Sequence, residues 1–476
     1  MSEHGPTPEV ESIDDGSAGE QTKGAIRISV VAALGGFLFG YDSAVINGAV
    51  AAIERQFQVE PALLGFAVAS ALLGAAAGAM TAGRVADRFG RLSVMKLAAV
   101  LFFVSAFGAG LSQSVGMLVV FRVIGGLGVG FASVIAPAYI AEVAPARIRG
   151  RLGSLQQLAI VTGIFTSLIV DFILAMAAGS SHDVLWLGME AWRWMFIAMF
   201  IPAVIYGGLA MTIPESPRFL VGAGRHDEAR KVLSTLLHPS KVEATIERIA
   251  ASLKRDTKPS YKDLRGPALG LLPIVWVGIL LSVFQQFVGI NVIFYYSNVL
   301  WEAVGFSEAD SFLITVITSV TNIVTTLIAI ASIDKFGRKP LLLVGSTGMT
   351  IALGVMAFVF GTAPVVNGVP QLGAMGPVAL VAANVFVVAF GMSWGPVVWV
   401  LLGETFPNKI RGAALSLAAA AQWVANWLIT VSFPSLKDVS LGLAYGFYFV
   451  CALLSLIFVW RFVRETKGME LEEMKG

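Results

Sequence analysis

Charged and strongly polar residues fall at long intervals along this chain. Between them the sequence stays apolar for about 20 residues at a time, the length that crosses the hydrocarbon core of a bilayer. Twelve such runs are legible, near 26–50, 62–82, 92–112, 116–140, 152–174, 193–213, 270–299, 312–333, 341–361, 376–402, 412–432 and 443–463. Each predicts a spanning helix, because a segment in lipid must satisfy its own backbone hydrogen bonds. The first and seventh runs hold polar residues and several others are cut by glycine, as expected of helices that line a path for solute. The one long charged connection is 214–268, where HDEARKVLSTLL (226–237) has the pattern of an amphipathic helix. The expected fold is an all-α membrane protein of twelve transmembrane helices in two six-helix bundles. The bundles are 25–213 and 269–463, joined by short cytoplasmic helices in 214–268. Residues 1–24 read as a disordered tail and 464–476 as a second tail.

Charge sets the orientation. Arg84, Arg88 and Arg91 lie in one short connection, Arg147, Arg149 and Arg151 in another, Lys335, Arg338 and Lys339 in a third, and Lys409 and Arg411 in a fourth. The intervening loops carry little beyond Arg55 and Lys437, so the basic set is read as cytoplasmic, with both termini on that side. Composition agrees: 56% of residues are hydrophobic and 13% charged, against about 25% charged in soluble domains. The net charge of +2 includes no basic block that suggests nucleic acid. A single cysteine, Cys451, excludes an intrachain disulfide, and all four histidines lie outside the apolar runs. There is no His/Cys metal set, nucleophile elbow or phosphate loop, so neither an enzyme nor a cofactor is indicated. The N-terminus lacks the basic start and apolar run of a signal peptide.

The two halves echo each other. GRVADRFGR (83–91) recurs as SIDKFGRKP (332–340), AEVAPARIRG (141–150) as GETFPNKIRG (403–412), and PESPR (214–218) as RETKG (464–468). Three landmarks at nearly constant offset predict two similar bundles with a solute site between them near the midplane. The stretch that stands out is LSVFQQFVGINVIFYYSNV (281–299), with Gln285, Gln286, Asn291, Tyr295 and Tyr296 in an otherwise apolar run. A buried amide left unpaired costs about 1–3 kcal/mol, yet an amide offers a donor and an acceptor, which suits hydroxyl groups. Polar glue between helices is the plainer alternative. In a straight helix Gln286 and Asn291 would point about 140° apart. Gly289 permits a break that turns both to one side.

These motifs resemble the sugar porter family of the major facilitator superfamily from Gly35 to Gly468. The match rests on GFLFGYDSAVINGA (36–49), GRVADRFGR, the two acidic–RG connections, PESPR, FQQFVGIN (284–291), SWGPVVWVLLGE (393–404) and RETKG, with Arg464 where the family has Pro. The resemblance is nearest to bacterial proton-coupled xylose/glucose transporters. It implies a sugar site of Phe39, Gln157, Gln285, Gln286, Asn291, Phe294, Tyr295, Trp394, Trp399, Gln422, Trp423 and Asn426. Trp394 and Trp399 flank Gly395–Pro396 and are read as cavity walls, with Gly391, Gly395 and Pro396 as a hinge. Gly74 and Gly78 are read as helix packing. At Ile164 and Phe294 the chain departs from the xylose-type pattern of Gln and Leu toward hexose carriers, which puts glucose first and xylose next.

Asp42 in the first span and Arg122 at the start of the fourth are the embedded charges of the first half. Burial raises a carboxyl pKa and a neighbouring arginine lowers it, so the pair is suited to taking up and releasing a proton. The resemblance implies the same, since proton-coupled members carry Asp here and facilitative members Asn. Asp171 is read as interfacial. Asp87, Arg88, Arg91, Glu142, Arg149 and Glu215, repeated as Asp334, Arg338, Glu404, Arg411 and Glu465, are read as two inner gates; topology alone is the simpler account. The expected activity is proton–monosaccharide symport by alternating access in a bacterial inner membrane, by a monomer. A facilitative carrier is the near alternative and a non-transporting receptor the remote one.

Overall fold

The structure, a computed structural model, describes residues 15–144, 149–255, 260–407 and 410–467. Six passes precede the linker: α1 (Asp15–Ala44) with α2 (Ile46–Phe57), α3 (Pro61–Phe89), α4 (Arg91–Gly110), α5 (Val115–Val143), α6 (Arg149–Ala178), and α7 (Ala191–Ile197) with α8 (Phe200–Ala210). The linker folds as α9 (Pro217–Gly222), α10 (His226–Leu236) and α11 (Pro239–Arg255) around a small apolar core of its own, including Leu220, Leu233 and Ile246. Six passes follow: α12 (Pro273–Phe287) with α13 (Ile290–Ala303), α14 (Glu308–Phe336), α15 (Arg338–Thr362), α16 (Gly376–Gly391) with α17 (Trp394–Thr405), α18 (Arg411–Val439) and α19 (Leu441–Phe462). Among the described residues twelve helical segments are long and apolar enough to cross a membrane.

Two short antiparallel hairpins lie on the face opposite the linker, one in each half. These are β1 (Val184–Trp186) with β2 (Met189–Glu190), and β3 (Val365–Val366) with β4 (Val369–Pro370). The two faces are called here the linker face and the hairpin face. Small residues set the closest helix contacts. A Cβ on Gly74 would fall 2.1 Å from the Val123 carbonyl and one on Gly78 2.5 Å from that of Leu127, which is the expected packing role. Exposed side chains such as Val100, Ile201, Val344, Ile351 and Val381 form the apolar surface that lipid covers.

Three expectations need correction. The part of 1–24 that is described is helical from Asp15, because the first span's helix continues past the apolar run. The basic connections at 83–91 and 332–340 are mostly helix: α3 meets α4 at Gly90 (φ +97°), and α14 meets α15 at Gly337 (φ +89°). One residue suffices for each turn because glycine enters positive φ without a steric penalty. The tenth pass breaks at Met392–Ser393, not at Gly395–Pro396. Pro396 lies in the first turn of α17, where its missing N–H has no helical partner to lose. The seventh pass breaks where expected, with Gly289 at φ +84°.

Candidate functional site

The break at Gly289 decides how the seventh pass presents its amides. Gly289 is needed for its φ and for space, since a Cβ there would meet the Tyr448 ring at 2.7 Å. With the helix restarted at Ile290, Asn291 Nδ2 donates to Gln286 Oε1 at 2.5 Å. The two side chains that a straight helix would separate are therefore in contact. The chain of amides continues: Gln286 Nε2 lies 3.5 Å from Gln285 Oε1, and Gln422 Nε2 of α18 donates to the same oxygen at 2.5 Å. Gln285 Nε2 in turn donates to the carbonyls of Trp394 and Gly395, 2.9 and 3.1 Å away, in the first turn of α17. This interhelical amide glue is also a ready set of donors and acceptors: what the amides give one another they can give a polyol.

Trp394 is fully buried and its Nε1 donates to Ser346 Oγ at 2.8 Å. Its indole is committed to α15, so here it stands behind Gln285 and is not a free stacking face. Trp399 is 48% exposed and lies outside the hydrogen-bonded network. Trp423 of α18 meets Phe39 of α1 across the two halves, ring centroids 6.4 Å apart. Gly40 brings α1 against α6, because a Cβ there would fall 2.0 Å from the Ile160 carbonyl and 2.9 Å from the Ile164 nitrogen. Ile164 is thereby set beside the Phe39 turn, with half-buried Gln157 on the same helix. Gln156, which sequence reasoning passed over, is buried with neither amide atom partnered among the described residues and packs on Gly36. Phe294 is buried, and its carbonyl serves the contact with Asn47 described below.

Asp42 and Arg122 are 1% and 2% exposed and face each other at 3.8 Å. The shorter bond, 2.8 Å, runs from Arg122 to the backbone carbonyl of Asp42, in the last turn of α1 before the interruption at Val45. A helix C-terminus has unclaimed carbonyls and attracts a cation. The guanidinium thus caps the helix more firmly than it binds the carboxylate, and Asp42 Oδ2 has no hydrogen-bond partner. The pair shares a small cavity with Ser43, Val68, Leu72 and Tyr295. Tyr295 comes from the other half, on α13 with Asn291 and Phe294. One side chain of the amide-bearing half therefore borders the cavity of the charged pair.

Asp171 is not interfacial. It is 0% exposed and accepts from the Gly48 N–H at 3.2 Å, because α6 presents it inward to the start of α2. The neighbouring Asn47 was also missed by sequence reasoning. Its Nδ2 donates to the Phe294 carbonyl and its Oδ1 accepts from the Asn298 N–H, both at 3.0 Å, tying α2 to α13. With the Ser181 N–H donating to Glu308 at 2.6 Å, these are the described hydrogen bonds between the halves, and all lie toward the hairpin face. A single amide followed by glycine in AVINGA was the only signal in the sequence.

At the linker face the repeated motifs build matching clusters. Arg91 holds Glu142 with two bonds, 3.0 and 2.8 Å, and reaches Asp87 at 3.1 Å. Glu215 accepts the backbone N–H groups of Arg91 and Leu92 at 3.0 and 3.2 Å, capping α4. In the second half Glu465 accepts those of Arg338 and Lys339 at 3.1 and 3.0 Å, and Arg338 reaches Asp334 at 3.2 Å. Burial works against ionisation of Glu465, yet the N–H groups of Arg338, Lys467, Lys339 and Thr466 together hold its carboxyl below the usual range. These described ion pairs each close within one bundle. Arg88 is exposed over the Phe89 ring and joins no described ion pair. The side chains of Arg149, Glu404 and Arg411 lie outside the described residues.

Comparison with known proteins agrees with this architecture. The family described as Sugar (and other) transporter matches residues 28–476. A glucose transport protein from Synechocystis is 58% identical over 455 residues, covering 95% of this chain and 97% of its own. The D-xylose-proton symporter of Escherichia coli is 41% identical over 483 residues, 94% of each. The inward-open structure of the xylose transporter XylE from E. coli superposes with a TM-score of 0.80 at 39% identity, covering 94% of this chain and 99% of that one.

Proposed function

The chain belongs to the sugar transporter family, and we propose that it is a proton-coupled monosaccharide symporter working by alternating access, with glucose as first substrate and xylose next. The observation that carries the reading is Tyr295, which lines the Asp42–Arg122 cavity from α13, the helix that also brings Asn291 to the amide wall. Occupancy by sugar and the state of the carboxyl are thereby felt by the same helix. The 58% identity to a glucose transport protein supports the order of substrates, as do Ile164 and Phe294. The likeness to an inward-open relative, and cross-bundle bonds gathered at the hairpin face, support a conformation open toward the linker face. That face is cytoplasmic in this reading, with both termini there, in a bacterial inner membrane. The transporting unit is a monomer.

Protonation of Asp42 weakens its attraction to Arg122 and lets α1 move relative to α5; sugar on the amides draws the C-terminal half onto Phe39. One charge moved through 100 mV gains about 2.3 kcal/mol and one pH unit adds about 1.36 kcal/mol, together roughly several hundred-fold accumulation. In proteoliposomes, glucose uptake against its gradient should follow an imposed pH gradient. Asp42→Asn should bring accumulation to unity while exchange continues. Uphill uptake by that variant would sink the coupling assignment and leave the facilitative reading.

A further inference from the structure

Asp171 is the buried acid that the coupling pair leaves unused. One of its oxygens accepts the Gly48 N–H, while Oδ1 has no hydrogen-bond partner among the described residues. Gly48 is fitted to it, since a Cβ there would fall 2.5 Å from Asp171 Oδ2. The Tyr41 hydroxyl of α1 is likewise buried without a partner among the described residues. The charged groups on the surrounding helices are engaged elsewhere. Asp42 of α1 and Arg122 of α5 face each other, and Arg193 of α7 holds Glu190 and the carbonyls of Gly110 and Ser112. Arg55 of α2 meets His182, Glu54 lines a vestibule with Glu60 and Glu302, Glu308 of α14 accepts from Ser181, and Asp310 is exposed.

A carboxylate in a membrane span with one N–H donor and no cation is costly, and such a group is neutralised by a proton instead. Its position gives that proton a use. Gly48 and Asn47 are adjacent on α2. Asp171 ties the first to α6 of its own half, and α13 of the other half holds the second. Parting of the halves at the hairpin face frees α2 from α13 and lets water reach this turn. We propose that Asp171 is a second proton-binding carboxyl, distinct from Asp42, which must be protonated before the hairpin face can close. The proton enters from the hairpin side on closure and returns there on reopening, so it does not enter the proton-to-sugar ratio. The proposal rests on the transport reading above.

The test is equilibrium exchange of labelled glucose by Asp42→Asn protein in proteoliposomes, across a series of pH values equal on both sides. That variant has no coupling carboxyl, so a remaining pH dependence reports another group. The expected exchange rate falls by up to about tenfold per pH unit on the alkaline limb. Adding Asp171→Asn, which keeps an acceptor for Gly48, should flatten the profile. Asp171→Glu, which keeps an ionisable group, should retain the slope with a moved midpoint. A flat profile in Asp42→Asn alone, an unchanged slope after Asp171→Asn, or an unmoved midpoint in Asp171→Glu overturns the proposal. Each of these outcomes is separate from whether Asp42→Asn accumulates sugar.

Discussion

The two six-helix halves are alike at their linker-face turns and unlike at their centres. At the turns the likeness reaches single atoms: Glu215 takes the first two N–H groups of α4, and Glu465 takes those of α15. Away from the turns the first half buries Asp42 with Arg122 and, nearer the hairpin face, Asp171 and Arg193, beside the amides Asn47 and Gln156; the second buries the amides Gln285, Gln286, Asn298 and Asn426 and a row of threonines on α14. The difference teaches a division of labour. In the proposed transport reading the ions answer to protons and voltage, and the uncharged amides and hydroxyls answer to a sugar; the turns common to both halves hold the scaffold on which they move.

The sharpest way to break that division is to damage one centre and read the other. Gln286→Ala removes the acceptor of Asn291 and, in the proposed site, a donor to sugar. Loss of about 1–3 kcal/mol should weaken glucose binding roughly 5- to 150-fold, while the pH dependence assigned to Asp42 stays in place. Titration calorimetry at two pH values measures both, and a changed pH profile with intact affinity would mean that the halves are not specialised. Asn47→Ala tests the contact that joins them. Losing its two bonds should shift the population toward an open hairpin face by about 1–3 kcal/mol, roughly 5- to 150-fold. Spin labels across β1–β2 and β3–β4 would report it, and an unmoved distance distribution would show that Asn47 is not a closure contact.

The common scaffold yields smaller effects. Gly90→Ala and Gly337→Ala each force a side chain into positive φ, with a Cβ 2.3 Å from Glu215 and 2.7 Å from Glu465 respectively. Both should lose about 1–3 kcal/mol of stability, read as matched drops in thermal midpoint; a loss confined to one half would break the symmetry. The smallest effect belongs to Glu465. Its carboxyl is held below the usual range, so its stabilisation is present above the unfolded carboxyl pKa of about 4.3 and fades as pH falls through the lower folded value. Glu465→Gln should therefore be less stable than the parent by about 1 kcal/mol at pH 7, the size of a lost helix cap. The gap should close below about pH 4; a gap independent of pH would assign the effect to shape and not charge.

Much of this was legible in the residues. Apolar length fixes the twelve spans because lipid admits few other solutions, and the repeated GR and acidic motifs announce two related halves. Gly289 between Gln286 and Asn291 marks the break in the seventh pass, since only a residue free of Cβ takes φ +84° there. Local pattern misled where a motif had two structural uses. Gly395–Pro396 looks like a break but forms the first turn of α17, and GRVADRFGR looks like a loop but is the end of a helix. Which side chains meet was decided only by tertiary packing. Asp171 reaches Gly48 across 123 residues, Asn47 reaches Phe294 across 247, and Tyr295 stands beside Asp42 from the opposite half. Periodicity states which face of a helix is apolar; it carries no record of the distant helix that covers that face, and this protein's chemistry lies in those covers.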